Sequence, residues 1–171
     1  VDVAKAYIEG TKRGGRAASV ASVFVSRVDG AVDKVAPESL QGKIAVDNIK
    51  LMYQTFKELF AGEEQVQRPL WASTGTKNKA YSDVKYIEEL IGANTVNTVP
   101  PATLTAFMNH GKPALTVETG LDEAKADMES LKKSGISLDD VCAKLLADGL
   151  EAFNKAFESL MSAIEKKGES L

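Results

Sequence analysis

Thiol and imidazole side chains are almost missing from this chain, which has one cysteine, Cys142, and one histidine, His110, in 171 residues. A lone cysteine cannot close an intrachain disulfide, and with a lone histidine it falls short of the ligand set of a structural zinc. A disulfide scaffold and soft-ligand metal chemistry are excluded. Long apolar runs are missing too: nothing approaches the roughly 20 residues of a membrane span, and no basic-then-apolar signal segment stands at the N-terminus. A cytoplasmic protein with no membrane partner is expected. Positive charge is not in excess either, because 21 Lys and Arg face 24 Asp and Glu for a net charge of -3. Without a broad electropositive surface, nucleic acid is excluded as a partner. What remains, 44% hydrophobic and 26% charged residues with 6% aromatics, is the composition of an ordinary globular domain. No internal repeat, low-complexity segment or linker interrupts it, so one domain over residues 1–171 is expected.

Three short runs read as strands. Residues 18–25 are small and β-branched, residues 68–73 run Arg-Pro-Leu-Trp-Ala-Ser, and residues 94–99 run Asn-Thr-Val-Asn-Thr-Val; each is too brief for a helix. Between the first two, Pro37 is expected to open a long helix, and Ile49, Met52, Tyr53, Phe56, Leu59 and Phe60 recur at the spacing that lines one face. Gly62 is its expected stop. After the third run, Pro100 and Pro101 suit a first helical turn, and Gly111 is the expected cap after Asn109-His110. Strand, helix, strand in this rhythm predicts an α/β fold with parallel pairing and a helix centred on Tyr53 outside the first two strands.

The last third is helical. Thr119-Gly120-Leu121-Asp122 starts one helix, Gly135 ends it, and Ser137 is an N-cap for the next, with Asp139 and Asp140 in its first turn. Leu150, Phe153, Phe157, Leu160, Met161 and Ile164 then form an apolar stripe, expected to pack into a core.

The chemistry concentrates in Gln67-Arg68-Pro69-Leu70-Trp71-Ala72-Ser73-Thr74-Gly75-Thr76-Lys77-Asn78. A strand that ends in hydroxyls, a glycine and a lysine offers an anion donors, close backbone approach and fixed positive charge. Read alone, an arginine or lysine after a strand is more often a solvated surface charge than an anion ligand, and Trp71 is a packing residue. Read with Ser22-Val23-Phe24-Val25-Ser26-Arg27-Val28-Asp29, Ala80-Tyr81-Ser82-Asp83 and Leu90-Ile91-Gly92 through Thr95-Val96-Asn97-Thr98, the chain resembles the transaldolase family over nearly its whole length. That resemblance implies a (β/α)8 TIM barrel of the class I aldolase kind, which moves a dihydroxyacetone unit between sugar phosphates through a lysine Schiff base, in the pentose phosphate pathway and with no cofactor. The three strands then correspond to the last three of eight, an incomplete barrel whose partner is the missing N-terminal half. Such barrels carry phosphate sites on loops after late strands.

The resemblance implies roles for six residues. Arg27 and Lys77 hold the substrate phosphate, and Ser73 adds a hydroxyl. Ser22 contacts the sugar and Phe24 shapes the wall, both on one strand face. Asn97 is either a contact inside the barrel or a satisfied core amide. The family's Schiff-base lysine, its two carboxylates and its threonine belong to strands before this sequence, because Val1–Gly10 matches the helix after the fifth strand. No catalytic residue is assigned here, and the chain alone is expected to be inactive. Two other readings stay open: a fructose-6-phosphate aldolase-like lyase, and a non-catalytic helical interaction fragment.

Overall fold

Short β-branched runs alternating with longer helical tracts give the order α1 (Asp2–Lys12), β1 (Ser19–Phe24), α2 (Ser26–Val32), α3 (Ile44–Leu59), β2 (Gln67–Ala72), α4 (Lys85–Glu88), β3 (Val96–Asn97), α5 (Pro101–His110), α6 (Leu121–Lys133) and α7 (Leu138–Gly168). These elements are seen in a computed structural model that describes residues 1–169. The strands form one parallel sheet in the order β1-β2-β3. Ser19 pairs with Gln67 and Phe24 with Ala72, while Leu70 pairs with Val96 and Trp71 with Asn97. All three expected runs are therefore strands, parallel and adjacent, although β3 keeps only two residues. Residues Val1–Ile136 form one compact unit, and a second begins at Ser137.

The faces of β1 differ sharply. Ala21 and Val23 look across an apolar groove of about 370 Å³ toward Met52 and Phe56 of α3, so the helix containing Tyr53 covers β1 and β2 as expected. On the opposite face Val20, Ser22 and Phe24 are exposed. Trp71 is 1% exposed, and its indole Nε1 donates to the Leu90 carbonyl at 2.9 Å. The Tyr53 hydroxyl donates to the Ala93 carbonyl at 2.8 Å, and a Cβ at Gly92 would stand 2.3 Å from Val117 Cγ1. Trp71 thus packs, and the 90–93 segment is pinned from both sides.

Two expectations need correction. Pro37 does not open the long helix: it precedes a 3₁₀ turn at Glu38–Leu40, and α3 begins only at Ile44. The break falls at Gly42, whose φ of +72° no right-handed helix accommodates. The stripe on α7 is the second correction. Far from being core, α7 buries none of its residues; Phe153 is 77% and Phe157 63% exposed. Periodicity identifies the apolar face of a helix, not what covers it. The helix does start as expected, with the Ser137 hydroxyl accepting from the Asp140 N–H at 3.1 Å. Gly111 follows α5 as expected, but its φ is -68°. Its small size matters for another reason, since a Cβ there would stand 2.2 Å from the Phe107 ring.

Where α3 faces α6, Lys43 pairs with Asp127 at 3.2 Å, and Asp47 is buried with Oδ2 lacking a hydrogen-bond partner among the described residues. Burial, then the Asp127 charge, pushes the Asp47 carboxyl from 3.8 up to about 6, against the opposing pull of Lys50 and Lys43. Between these values the native chain holds a proton that the unfolded chain has released, so stability falls as pH rises through this window and stays lower above it. Asp47→Asn should remove that slope and add about 2 kcal/mol at pH 7. Urea denaturation of both proteins at pH 4 and pH 7 checks this; equal stability differences at the two pH values would contradict it.

Candidate functional site

Several of the residues expected to bind substrate gather where β1 and β2 end. Pairing continues beyond the strands: the Val25 N–H donates to the Ala72 carbonyl at 2.9 Å and the Ser26 N–H to the Ser73 carbonyl at 3.0 Å. The Ser26 and Ser73 hydroxyls are 2.9 Å apart. Ser73 has a φ of +59°, left-handed backbone that costs an L-residue on the order of 1 kcal/mol. The turn is held by those two bonds to Ser26. Its effect is to bring the end of β2 against the first residue of α2.

Arg27 is the next residue of α2. It is exposed, and its guanidinium carbon lies 4.9 Å from the centroid of the Phe24 ring. A cation over an aromatic face loses freedom but keeps its donors available. Ser22 lies two residues before Phe24 on the same exposed face. Across the sheet, Leu70 pairs with Ser22 and Ala72 with Phe24, an apolar floor beside them. Lys77 is exposed on the loop after β2, with neither a hydrogen bond nor an ion pair among the described residues. Asn97 stands apart. It pairs with Trp71, one register step from the Leu70 row, and its Oδ1 accepts from the fully buried Thr74 hydroxyl at 2.7 Å.

Beneath this surface lies a set of groups to which the sequence assigns no role. Asp29, 1% exposed, accepts from the Ala45 N–H and from the Tyr86 hydroxyl, both at 2.8 Å. One turn later Asp33 accepts from the Gly42 N–H and the Tyr81 hydroxyl, also at 2.8 Å each. Burial, more than its hydrogen bonds can offset, raises the Asp29 carboxyl above the usual carboxylate range. Burial and the Asp33 carboxylate push the Tyr81 hydroxyl up to about 12, and burial with the Asp29 charge lifts Tyr86 further still. Both tyrosines therefore remain donors at any physiological pH. The sequence signals were the place of Asp29 and Tyr81 in the motifs that carry the resemblance and the spacing of Asp29 and Asp33, four apart on α2 and its C-cap. No group of three or more His, Cys, Asp or Glu side chains among the described residues could hold a metal ion, and no described helix is long and apolar enough to cross a membrane.

Comparison with known proteins adds to this geometry. A family model described as Transaldolase/Fructose-6-phosphate aldolase matches residues 1–164. A transaldolase of Neisseria meningitidis serogroup C is 46% identical over 155 residues, which cover 85% of this chain and 44% of the relative. A transaldolase of Trichodesmium erythraeum is 38% identical over 204 residues, covering 100% of this chain and 54% of its own length. A Nostoc protein named transaldolase 2 is 42% identical over 177 residues, covering 88% and 46%. The chain thus spans about half the length of the curated relatives it matches.

Proposed function

Because the chain belongs to the transaldolase/fructose-6-phosphate aldolase family, we propose that it supplies the sugar-phosphate-binding portion of a transaldolase, an enzyme transferring a dihydroxyacetone unit between sugar phosphates in the pentose phosphate pathway. Arg27 and Lys77 converge on the phosphate, Ser73 donates a hydroxyl, Ser22 meets the sugar and Phe24 walls the pocket while holding the Arg27 guanidinium. Asn97 acts through Thr74, bracing the turn after β2. The observation that carries this reading is the junction of β1 and β2, where a strained Ser73 backbone sits bonded to Ser26, beside an arginine stacked on an aromatic ring. Strain held by surrounding bonds is a mark of binding sites.

The Schiff-base lysine and its helper groups lie in residues outside this 171-residue sequence, which is cytoplasmic and contributes the last three strands of a (β/α)8 barrel. Two observations support that part of the reading. The outer edge of β1 has no strand partner among the described residues, a liability that proteins blunt or cover, and the stripe of α7 is exposed. The rest of the barrel, in the portion of each relative that this chain does not span, covers both. A helical interaction fragment would need neither the strained turn nor the stacked arginine.

Phosphate binding alone does not separate transfer from cleavage. The names of the relatives favour transfer. In the complete enzyme, consumption of fructose 6-phosphate should depend on an aldehyde acceptor such as erythrose 4-phosphate. Release of free dihydroxyacetone at the same rate without acceptor would instead assign the lyase.

A further inference from the structure

Two tyrosine hydroxyls from one segment close onto two carboxylates, one on α2 and one at its C-cap, and so join the helix that bears Arg27 to the segment that follows Lys77. Asp29 follows Arg27 by two residues, and Asp33 ends the same helix. Each carboxylate has one oxygen on a backbone N–H, from Gly42 or Ala45, and the other on a tyrosine hydroxyl, from Tyr81 or Tyr86. Both hydroxyls come from the segment that follows Lys77. That segment is tied back on itself: the Thr76 hydroxyl donates to the Ser82 carbonyl at 2.8 Å, the Tyr81 N–H to the Asn78 carbonyl at 3.1 Å, and the Ala80 N–H to Asn78 Oδ1 at 3.0 Å. Movement at Tyr81 is therefore passed to the loop that bears Lys77. Gly42 is shaped for the same contact, since a Cβ there would stand 2.7 Å from Tyr81 Cζ.

Resting on the phosphate site proposed above, we infer that Tyr81 and Tyr86 are positioning residues for it: by holding Asp33 and Asp29 they lock α2 against the loop after β2, and so fix where Arg27 stands relative to Lys77. Neither tyrosine touches the substrate. The Ser26–Ser73 bonds hold the start of this short helix, and the two tyrosine bonds one turn apart add resistance to tilt and rotation farther along it. A charged pair that must meet one anion from two elements gains affinity when their separation is set in advance.

The test uses the complete enzyme with fructose 6-phosphate and with fructose. Tyr81→Phe and Tyr86→Phe should each raise KM for fructose 6-phosphate about fivefold to tenfold with kcat within about twofold, and leave the kinetics with fructose unchanged. Gly42→Ala, which crowds the Tyr81 ring, should do the same. In an enzyme already carrying Arg27→Ala and Lys77→Ala, the tyrosine changes should have no further effect, because the separation they set has no ligands left to use. Equal losses with both sugars, unfolding of the variants before phosphate preference changes, or no change in KM would overturn the inference while leaving the phosphate site in place. A double Arg27→Ala Lys77→Ala enzyme that kept full preference for fructose 6-phosphate would overturn the site and the inference together.

Discussion

Borohydride reduction of the 171-residue chain with fructose 6-phosphate should leave no substrate carbon on the protein, and the chain alone should transfer no dihydroxyacetone unit. A Schiff base begins with attack by an uncharged amine, which an enzyme obtains by desolvating a lysine or by placing another cation beside it. The lysine that tempts as a substitute is Lys77, on the loop after β2. It is exposed and sits in the polar run Ser73-Thr74-Gly75-Thr76-Lys77-Asn78, where an ammonium serves as an anion ligand and an amine nucleophile has no dry pocket. Loss of the covalent step is a loss of the whole reaction, so the expected effect exceeds that of any single substitution. Mass spectrometry after reduction reads it directly. A mass increment of one reduced substrate unit located on Lys77 would show that this lysine is the nucleophile and that its assignment to phosphate is wrong.

Arg27→Ala should weaken binding of phosphorylated sugars in the complete enzyme by roughly tenfold to a hundredfold, because a charge-assisted hydrogen bond is worth about 1.5 to 3 kcal/mol. The loss should be much smaller for the unphosphorylated sugar. A residue needed only for folding would weaken both substrates alike, whereas a phosphate ligand discriminates between them. The structure adds a reason to expect the upper part of this range. Arg27 is held over Phe24, so its side chain enters the complex partly ordered, and the entropy that an arginine ordinarily loses on binding has been lost beforehand. Lys77 has no such support in the folded chain, and Lys77→Ala should cost less than Arg27→Ala. Affinities of both variants for fructose 6-phosphate and fructose check the order; equal losses for the two sugars would contradict it.

The strands were legible because β-branched and small residues are bounded by turn residues, and because no run was long enough for a helix. Residues 94–99 shrank to Val96–Asn97 since only these residues pair with β2, and pairing is a property of the neighbour rather than of the run. Pro37 was misleading for a related reason: a proline suits the start of any helical turn, and only the backbone of Gly42 decides that this one stops after Leu40. On α7 the apolar face was read correctly and its burial was not, because what covers a stripe lies elsewhere in a protein. Arg27, Phe24 and Ser73, which the fold brings to one end of β1 and β2, stand in the local motifs that carry the family resemblance. The carboxylate pairs Asp29–Tyr86 and Asp33–Tyr81 were not legible, since their members lie 57 and 48 residues apart and neither residue type signals its partner. Buried polar pairs of this kind are found only once the chain is folded.

The proposed site requires Arg27 and Lys77 to meet a single phosphate at the carboxyl ends of β1 and β2. A structure of the complete enzyme with bound fructose 6-phosphate measures it most directly. The expected result is a guanidinium nitrogen of Arg27, the Lys77 ammonium and the Ser73 hydroxyl each about 3 Å from phosphate oxygens, with Phe24 still beneath Arg27. A phosphate bound elsewhere, with Arg27 and Lys77 both left in solvent, would contradict the account.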